Sequence, residues 1–392
     1  NYDANAFADQ AIEKGASIAV IDNPSYARDD RYMVVKDTLE TLQELARHHR
    51  KQLSIPIIGL TGSNGKTTTK ELIHAVLSKK YRTLATEGNL NNHIGVPLTL
   101  LRISKEHEMA IIEMGANHQG EIANLCEIAL PDHGMITNIG KAHIEGFGGF
   151  EGVIKGKSEL YQHLINSDGV VWINSNNPIL SNMAKRFRQP LFYPNKGDFF
   201  HCELIDADPA LVLHTESGNT VKTHLIGTYN FENIAAALCI GKYFQVPSGA
   251  AEKAVEEYIP ENNRSQIIKR NNKTIILDAY NANPTSMSSA LDNLRAMPGS
   301  RKSVILGDMK ELGADSEMEH REIGKLLTNL GLENIFLFGE EMAAAADACT
   351  SAIHFTDKEE LREKLKMTNL EDQLILIKGS RSMGLEKVLD SL

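Results

Sequence analysis

The sequence predicts an α/β protein of two or three domains built on parallel sheets. Three observations carry this. An apolar run at 55–60 leads into a glycine-rich turn and an amphipathic helix. Beyond residue 264, short apolar runs alternate with helical stretches. A length of 392 residues, 42% of them apolar, is enough for more than one sizeable core.

Residues 1–53 read as a small α/β piece. A helix ends over 11–15, short strands lie at 18–21 and 33–35, and a helix over 38–51 carries Leu39, Leu42, Leu45 and Ala46 on one face. So small a sheet looks incomplete, and the chain opens without a methionine, so its N-terminal part is expected to be cut short.

Chemistry concentrates in the next stretch, Ile57-Ile58-Gly59-Leu60-Thr61-Gly62-Ser63-Asn64-Gly65-Lys66-Thr67-Thr68. Strand, glycine turn and helix form a phosphate cradle: small residues let backbone N–H groups face phosphate oxygens, and the helix N-terminus adds partial positive charge. Lys66 can reach terminal phosphates, and the Thr67 hydroxyl can sit on Mg²⁺. Leu60 stands where the general G-x-x-x-x-G-K-[ST] pattern has its first glycine.

The loop at 86–95 holds Asn89, Asn91 and Asn92. Its composition fits an ordinary polar loop and a ligand-facing one equally. A second apolar strand, 109–115, carries Glu113 near its end, where P-loop proteins place an acid that assists Mg²⁺. A third strand at 134–137 precedes a glycine-rich loop with His143, which alone is open between metal ligand and ordinary loop histidine. In the helix at 152–165, Val153, Lys157, Leu160, Tyr161 and Leu164 share one face. Lys155 falls with the charged side, so of the two lysines Lys157 points inward. Its stem can simply pack while the ammonium snorkels.

Strand-like runs follow at 170–173 and 211–214, then a helix opening at 228–233. Pro260-Glu261-Asn262-Asn263-Arg264 breaks the pattern, and places domain boundaries at 1–53, 54–261 and 262–392. The last part has strands at 274–277, 304–306, 335–338 and 374–377 with helices between. Their ends carry Asp278, Gly307-Asp308 and Lys378-Gly379-Ser380-Arg381, polar groups where open α/β sheets bind ligands.

The net charge of −10 and the lack of a basic run exclude nucleic-acid binding through bulk charge. Four scattered cysteines without a C-x-x-C point to a reducing compartment, and no apolar run is long enough to span a membrane. The chain is therefore expected in the cytoplasm.

Together the motifs resemble the Mur ligases of bacterial cell-wall synthesis: TGSNGKTTTKE, GNLNNHIGVPLTLL, EMGANHQGEIA, ITNIGKAHIEGFG, DAYNANPTSM, ILGDMKELG and KGSRSM, in that order from residue 57 onward. The first of them is the family's own form of the cradle, without the first glycine. The resemblance implies three domains: a partial N-terminal one for the UDP-linked substrate, a central P-loop ATPase and a C-terminal Rossmann-like one. It implies ATP-driven amide formation by a monomer, joining D-alanyl-D-alanine to UDP-N-acetylmuramoyl-tripeptide through an acyl phosphate. It also implies residue roles. Gly62, Ser63, Asn64, Gly65, Lys66, Thr67 and Thr68 hold the ATP phosphates, with Asn230 and Asn233 on the adenine side, Arg264 on ATP and Asp278 near the ribose. Thr67, Glu113 and His143 bear on Mg²⁺, with two ions expected. Lys157 matches a lysine that several members carry as a carbamate. Asn89, Asn91, Asn92, Asn281, Asn283 and Arg381 are assigned to the substrates. Arg264 stands in ENNRSQ rather than the usual Pro-Gly-Arg. Two rival readings are a P-loop switch or motor with a protein partner, and a folylpolyglutamate synthase. The second α/β unit with its own ligand-type motifs argues against the first; YNANPTSM and NLNNHIG argue against the second.

Overall fold

The computed structural model describes residues 3–260, 264–299 and 301–392. The boundary expected at 261/262 lies outside the described residues. The chain opens with α1 (Ala8–Glu13), two parallel strands, β1 (Ala19–Ile21) and β2 (Tyr32–Val34), and α2 (Thr38–Lys51). Asp37 caps α2 by accepting the Glu40 N–H at 2.8 Å. Helix α2 turns away from the two small strands: Ala46 joins the core beneath the next sheet, and the Arg50 Nε donates to the Ala129 carbonyl at 3.0 Å.

The next part alternates strand and helix, except that α6 and α7 follow one another. It runs β3 (Ile57–Thr61), α3 (Lys66–Leu77), β4 (Thr83–Ala85), α4 (Gly95–Leu101), β5 (Met109–Glu113), α5 (Glu121–Ala129), β6 (His133–Ile136), α6 (Ile144–Phe147), α7 (Phe150–Asn166), β7 (Val170–Asn174), α8 (Pro178–Ala184) and β8 (Leu191–Tyr193). The strands form one sheet in the order β4-β5-β3-β6-β7-β8, with every pair parallel. Both faces of the inner strands are buried, which is why β3, β5, β6 and β7 read as apolar runs. Ile58, Leu60, Met109, Ile111 and Trp172 face a core shared with α3. Ile57, Ala110, Ile112, Val171 and Ile173 face the other core, against α5 and α7. Pro56 precedes β3, so the strand expected from residue 55 starts at Ile57. Three antiparallel strands follow, β9 (Cys202–Asp206), β10 (Ala210–Thr215) and β11 (Thr220–Ile226), then α9 (Asn230–Tyr243) and α10 (Ser248–Glu257).

The last part has a sheet of its own. Its elements are β12 (Gln266–Arg270), β13 (Lys273–Asp278), α11 (Pro284–Ala296), β14 (Lys302–Gly307), α12 (Ser316–Thr328), β15 (Asn334–Phe338), α13 (Ala343–Ala348), β16 (Ile353–Phe355), α14 (Lys358–Met367) and β17 (Leu374–Lys378). The order is β12-β13-β17-β14-β15-β16, parallel except for β12. Residues of α11, α12 and α13 cover one face and those of α14 the other. Among the described residues no helix is long and apolar enough to cross a membrane.

Candidate active site between two sheets

The carboxyl ends of β3, β5 and β6 lie side by side, because Leu60 is in register with Glu113 and Thr61 with Ile136. The turn after β3 needs its glycines. Gly62 has φ +149°, and a Cβ there would run into the Thr137 hydroxyl. Gly65 has φ +77°, and a Cβ would sit 2.7 Å from the Asn233 Oδ1. Loop 137–140 holds the turn in shape: the Ser63 N–H donates to the Asn138 carbonyl and the Asn64 N–H to the Asn138 Oδ1, each at 3.0 Å. Helix α3 then begins at Lys66 with no side chain capping it. The first-turn N–H groups of a helix have no partner inside it, so this end is suited to an anion.

Lys66 folds over the turn, donating to the carbonyls of Gly62 at 2.7 Å and Ser63 at 3.3 Å. Burial lowers its pKa below the ordinary lysine value; Glu113 opposes that shift and Arg264 adds to it. Glu113 is 1% exposed. Its Oε1 accepts from the Thr67 hydroxyl at 3.3 Å and the Asn91 amide at 2.8 Å, while its Oε2 is buried and has no partner among the described residues. A buried carboxylate oxygen without a partner is costly. Beside a threonine hydroxyl and a phosphate cradle, such an oxygen fits a hard divalent cation.

His143 was expected on the same metal. It stands in left-handed backbone (φ 55°), and its ring forms an ion pair with Glu311, reached from beyond β14. That pairing holds the Glu311 carboxyl below its usual range. Among the described residues no three His, Cys, Asp or Glu side chains gather as a metal site.

Lys157 points inward, and Lys155 is exposed. Lys157 is 0% exposed; its Nζ donates to the Ala116 carbonyl at 3.2 Å and lies 4.9 Å from the Phe147 ring centroid. Burial first, and the Lys66 charge second, drive its pKa well below the ordinary lysine value. The lysine sits behind Gly115 and Ala116, which line the cavity in front of the cradle.

That cavity, of about 900 Å³, is shared by the two sheets. One wall carries Lys66, Thr67, Glu113 and the loop residues Asn89, Asn91 and Asn92; the other carries Arg264, Asp278, Asn281 and Asn283. The Asn92 Oδ1, just before α4, also accepts the Gly95 N–H at 2.9 Å. Asn230 and Asn233 line the cavity while bonded to each other at 2.8 Å, and the Thr69 hydroxyl donates to the Asn233 Oδ1 at 2.9 Å. Asp278 accepts the Ser265 N–H at 3.1 Å and pairs with Lys378. Arg381, expected at the substrates, is exposed and does not line the cavity. Lys378, which the sequence places among the polar strand ends, does line it, as do Tyr280, Tyr229 and Thr285, to which the sequence reading gave no role. Lys378 closes a strand in register with Asp278.

Direct bonds join the walls. The Asn283 amide donates to the Asn64 Oδ1 at 2.7 Å, and the Lys141 N–H to the Thr285 hydroxyl at 3.1 Å. Asn283 also caps α11, its Oδ1 accepting the Ser286 N–H at 2.9 Å. Asn283→Ala removes the cap and is expected to cost about 1 kcal/mol, read as a lower midpoint of thermal unfolding by circular dichroism. Asn283→Asp keeps an acceptor oxygen and should recover most of that loss. Equal damage from both variants would place the stabilising contact at Asn64 instead.

Two family models match this chain: the Mur ligase middle domain over residues 60–241 and the Mur ligase, glutamate ligase domain over 263–381. The chain belongs to the Mur ligase family. Curated relatives of this Mur ligase include the UDP-N-acetylmuramoyl-tripeptide–D-alanyl-D-alanine ligases of Escherichia coli (strain K12) and Bacillus subtilis (strain 168). They are 37% and 35% identical to it, each alignment covering 100% of this chain and 88% of the relative. Among solved structures, MurF from Acinetobacter baumannii superposes with a TM-score of 0.89 at 33% identity, covering 100% of this chain and 88% of that one. MurF ligase from Thermotoga maritima, solved in complex with ADP, superposes with a TM-score of 0.87 at 28% identity, covering 100% and 91%. The three-domain α/β architecture of this Mur ligase is that of these neighbours.

Proposed function

We propose that this Mur ligase joins D-alanyl-D-alanine to UDP-N-acetylmuramoyl-tripeptide in an ATP-dependent amide ligation that proceeds through an acyl phosphate. The observation that carries the reading is the cavity itself: an uncapped helix N-terminus with Lys66 and Thr67 on one wall, and Arg264, Asp278 and Lys378 on the other. The relatives at 37% and 35% identity, matched over the whole of this chain, bear the name of that ligase. The chain works in the cytoplasm as a monomer and takes no nucleic acid as partner.

A carboxylate is a poor electrophile, and it is repelled by the triphosphate that must activate it. Lys66 and the first-turn N–H groups of α3 counter that repulsion and hold the phosphates in line. Glu113 and Thr67 would hold Mg²⁺, with a carbamate on Lys157 serving a second ion. Bound there, Mg²⁺ supplies charge neutralisation between phosphate oxygens and the incoming carboxylate. Arg264 adds a cation from the facing wall, and Asn230 and Asn233 flank the nucleotide base, with Asp278 by the ribose. Asn89, Asn91 and Asn92 face the muramoyl-peptide, and Asn281 the reacting groups. The walls close together over the reactants and keep water from the activated acyl group.

The test is phosphate release from ATP with Mg²⁺ and UDP-N-acetylmuramoyl-tripeptide, with and without D-alanyl-D-alanine. Release is expected to depend on all four. Strong turnover with ATP alone, indifferent to the dipeptide, would place the chain with the nucleotide-hydrolysing switches instead.

A further inference from the structure

Arg264 brings a guanidinium to the cavity, and no carboxylate among the described residues holds it. Among the described residues it forms no ion pair, and its Nε is buried without a hydrogen-bond partner. What lies beneath it is an aromatic ring: the Arg264 Cζ is 3.7 Å from the centroid of Tyr280. The Arg381 Cζ is 5.8 Å from the same ring. The backbone on both sides of this contact is pinned by one residue. Asp278, two positions before Tyr280, accepts the N–H of Ser265, next to Arg264, at 3.1 Å. Lys378 holds Asp278 in turn, and the Tyr229 hydroxyl bonds the Ser265 hydroxyl at 2.6 Å.

A carboxylate partner would orient the arginine but cancel its charge. The face of a ring attracts and orients a guanidinium while leaving the charge in place. We propose that Tyr280 is a positioning residue, whose ring holds the Arg264 guanidinium over the cavity opposite Lys66 so that its charge is left for the nucleotide phosphates. The proposal rests on the ligase reading of the cavity. The ring face does the work, and the hydroxyl has no part in it.

The experiment compares Tyr280→Phe, Tyr280→Leu and Tyr280→Gln, each alone and in an Arg264→Ala background. It reads KM for ATP, kcat, KM for D-alanyl-D-alanine, and the calorimetric affinity for MgADP; thermal unfolding checks that each variant is folded. Tyr280→Phe is expected to match the parent. Tyr280→Leu and Tyr280→Gln should weaken nucleotide binding about tenfold, leave KM for the dipeptide unchanged, and cost nothing further once Arg264 is alanine. Three results would overturn the proposal: Tyr280→Phe as damaging as Tyr280→Leu, a full additional loss in the Arg264→Ala background, or no loss in either non-aromatic variant. Absence of dipeptide-dependent phosphate release in the parent protein would instead defeat the ligase reading, and the MgADP affinities would still decide whether Tyr280 holds Arg264.

Discussion

Lys66→Ala is expected to lower dipeptide-dependent phosphate release by about 10²–10³-fold at saturating ATP. The reason is the position of its charge. The Lys66 Nζ lies over the turn, 2.7 Å from the Gly62 carbonyl, at the uncapped end of α3. It is held there before any phosphate arrives, so little reorganisation is required as charge builds in the transition state. Arginine at this position would not substitute well: the ammonium fits among the Gly62 and Ser63 carbonyls, and a planar guanidinium is wider. The variant should fold normally, since the turn keeps its bonds to Asn138. Steady-state phosphate release checks it, alongside a thermal melt. Turnover near the parent rate would show that the phosphates lie elsewhere in the cavity.

The cradle was legible in the sequence because everything it needs is local. Strand, turn and helix occupy 21 consecutive residues, Ile57–Leu77, and both strictly required glycines sit in the turn. Glu113 was legible for a related reason: a carboxylate at the end of an apolar strand must end beside the neighbouring strand's turn in a parallel sheet. The four inner strands of each large sheet were legible as apolar runs because two-sided burial demands them, whereas the edge strands β4, β8, β12 and β16 were not read. Of the small antiparallel sheet, only β10 was read. In β11 the buried positions are Val221, Thr223, Leu225 and Ile226, and the inward Thr223, satisfied by the Leu211 carbonyl at 3.0 Å, breaks the apolar pattern. Contacts between the two walls left no trace at all. His143 with Glu311, Asn64 with Asn283 and Lys141 with Thr285 are separated by more than a hundred residues, and no periodicity encodes which loop meets which. So the sequence could place His143 near the chemistry but could not reveal that Glu311 engages its ring.

Lys157→Ala is the second large effect, and the periodicity of α7 is what selects it over Lys155. Three and four residues bring a helix back to the same face, and Val153, Leu160, Tyr161 and Leu164 are all buried with Lys157. Lys155 is exposed. Removing an exposed lysine should leave turnover close to the parent's. Lys157 is different in kind. Burial and the neighbouring charge of Lys66 disfavour its ammonium. The neutral amine can take up CO₂ and release a proton, leaving a carbamate with anionic oxygens of the sort Mg²⁺ prefers. A group that supports a metal from outside its ligand set typically contributes 10–100-fold to activity, so losing one that binds the metal should cost about 100-fold or more. Acetate, formate or propionate should restore part of the lost rate in Lys157→Ala, because a short carboxylate fits the space the side chain leaves and supplies the missing oxygens. The same additions should do nothing for the parent. The rival account is a lysine that packs and bonds the Ala116 carbonyl as a plain amine. It predicts loss of stability without rescue, so thermal unfolding and rescued turnover measured on the same samples separate the two. Normal activity in Lys157→Ala, a defect in Lys155→Ala, or a loss that no carboxylate relieves would each end the carbamate assignment.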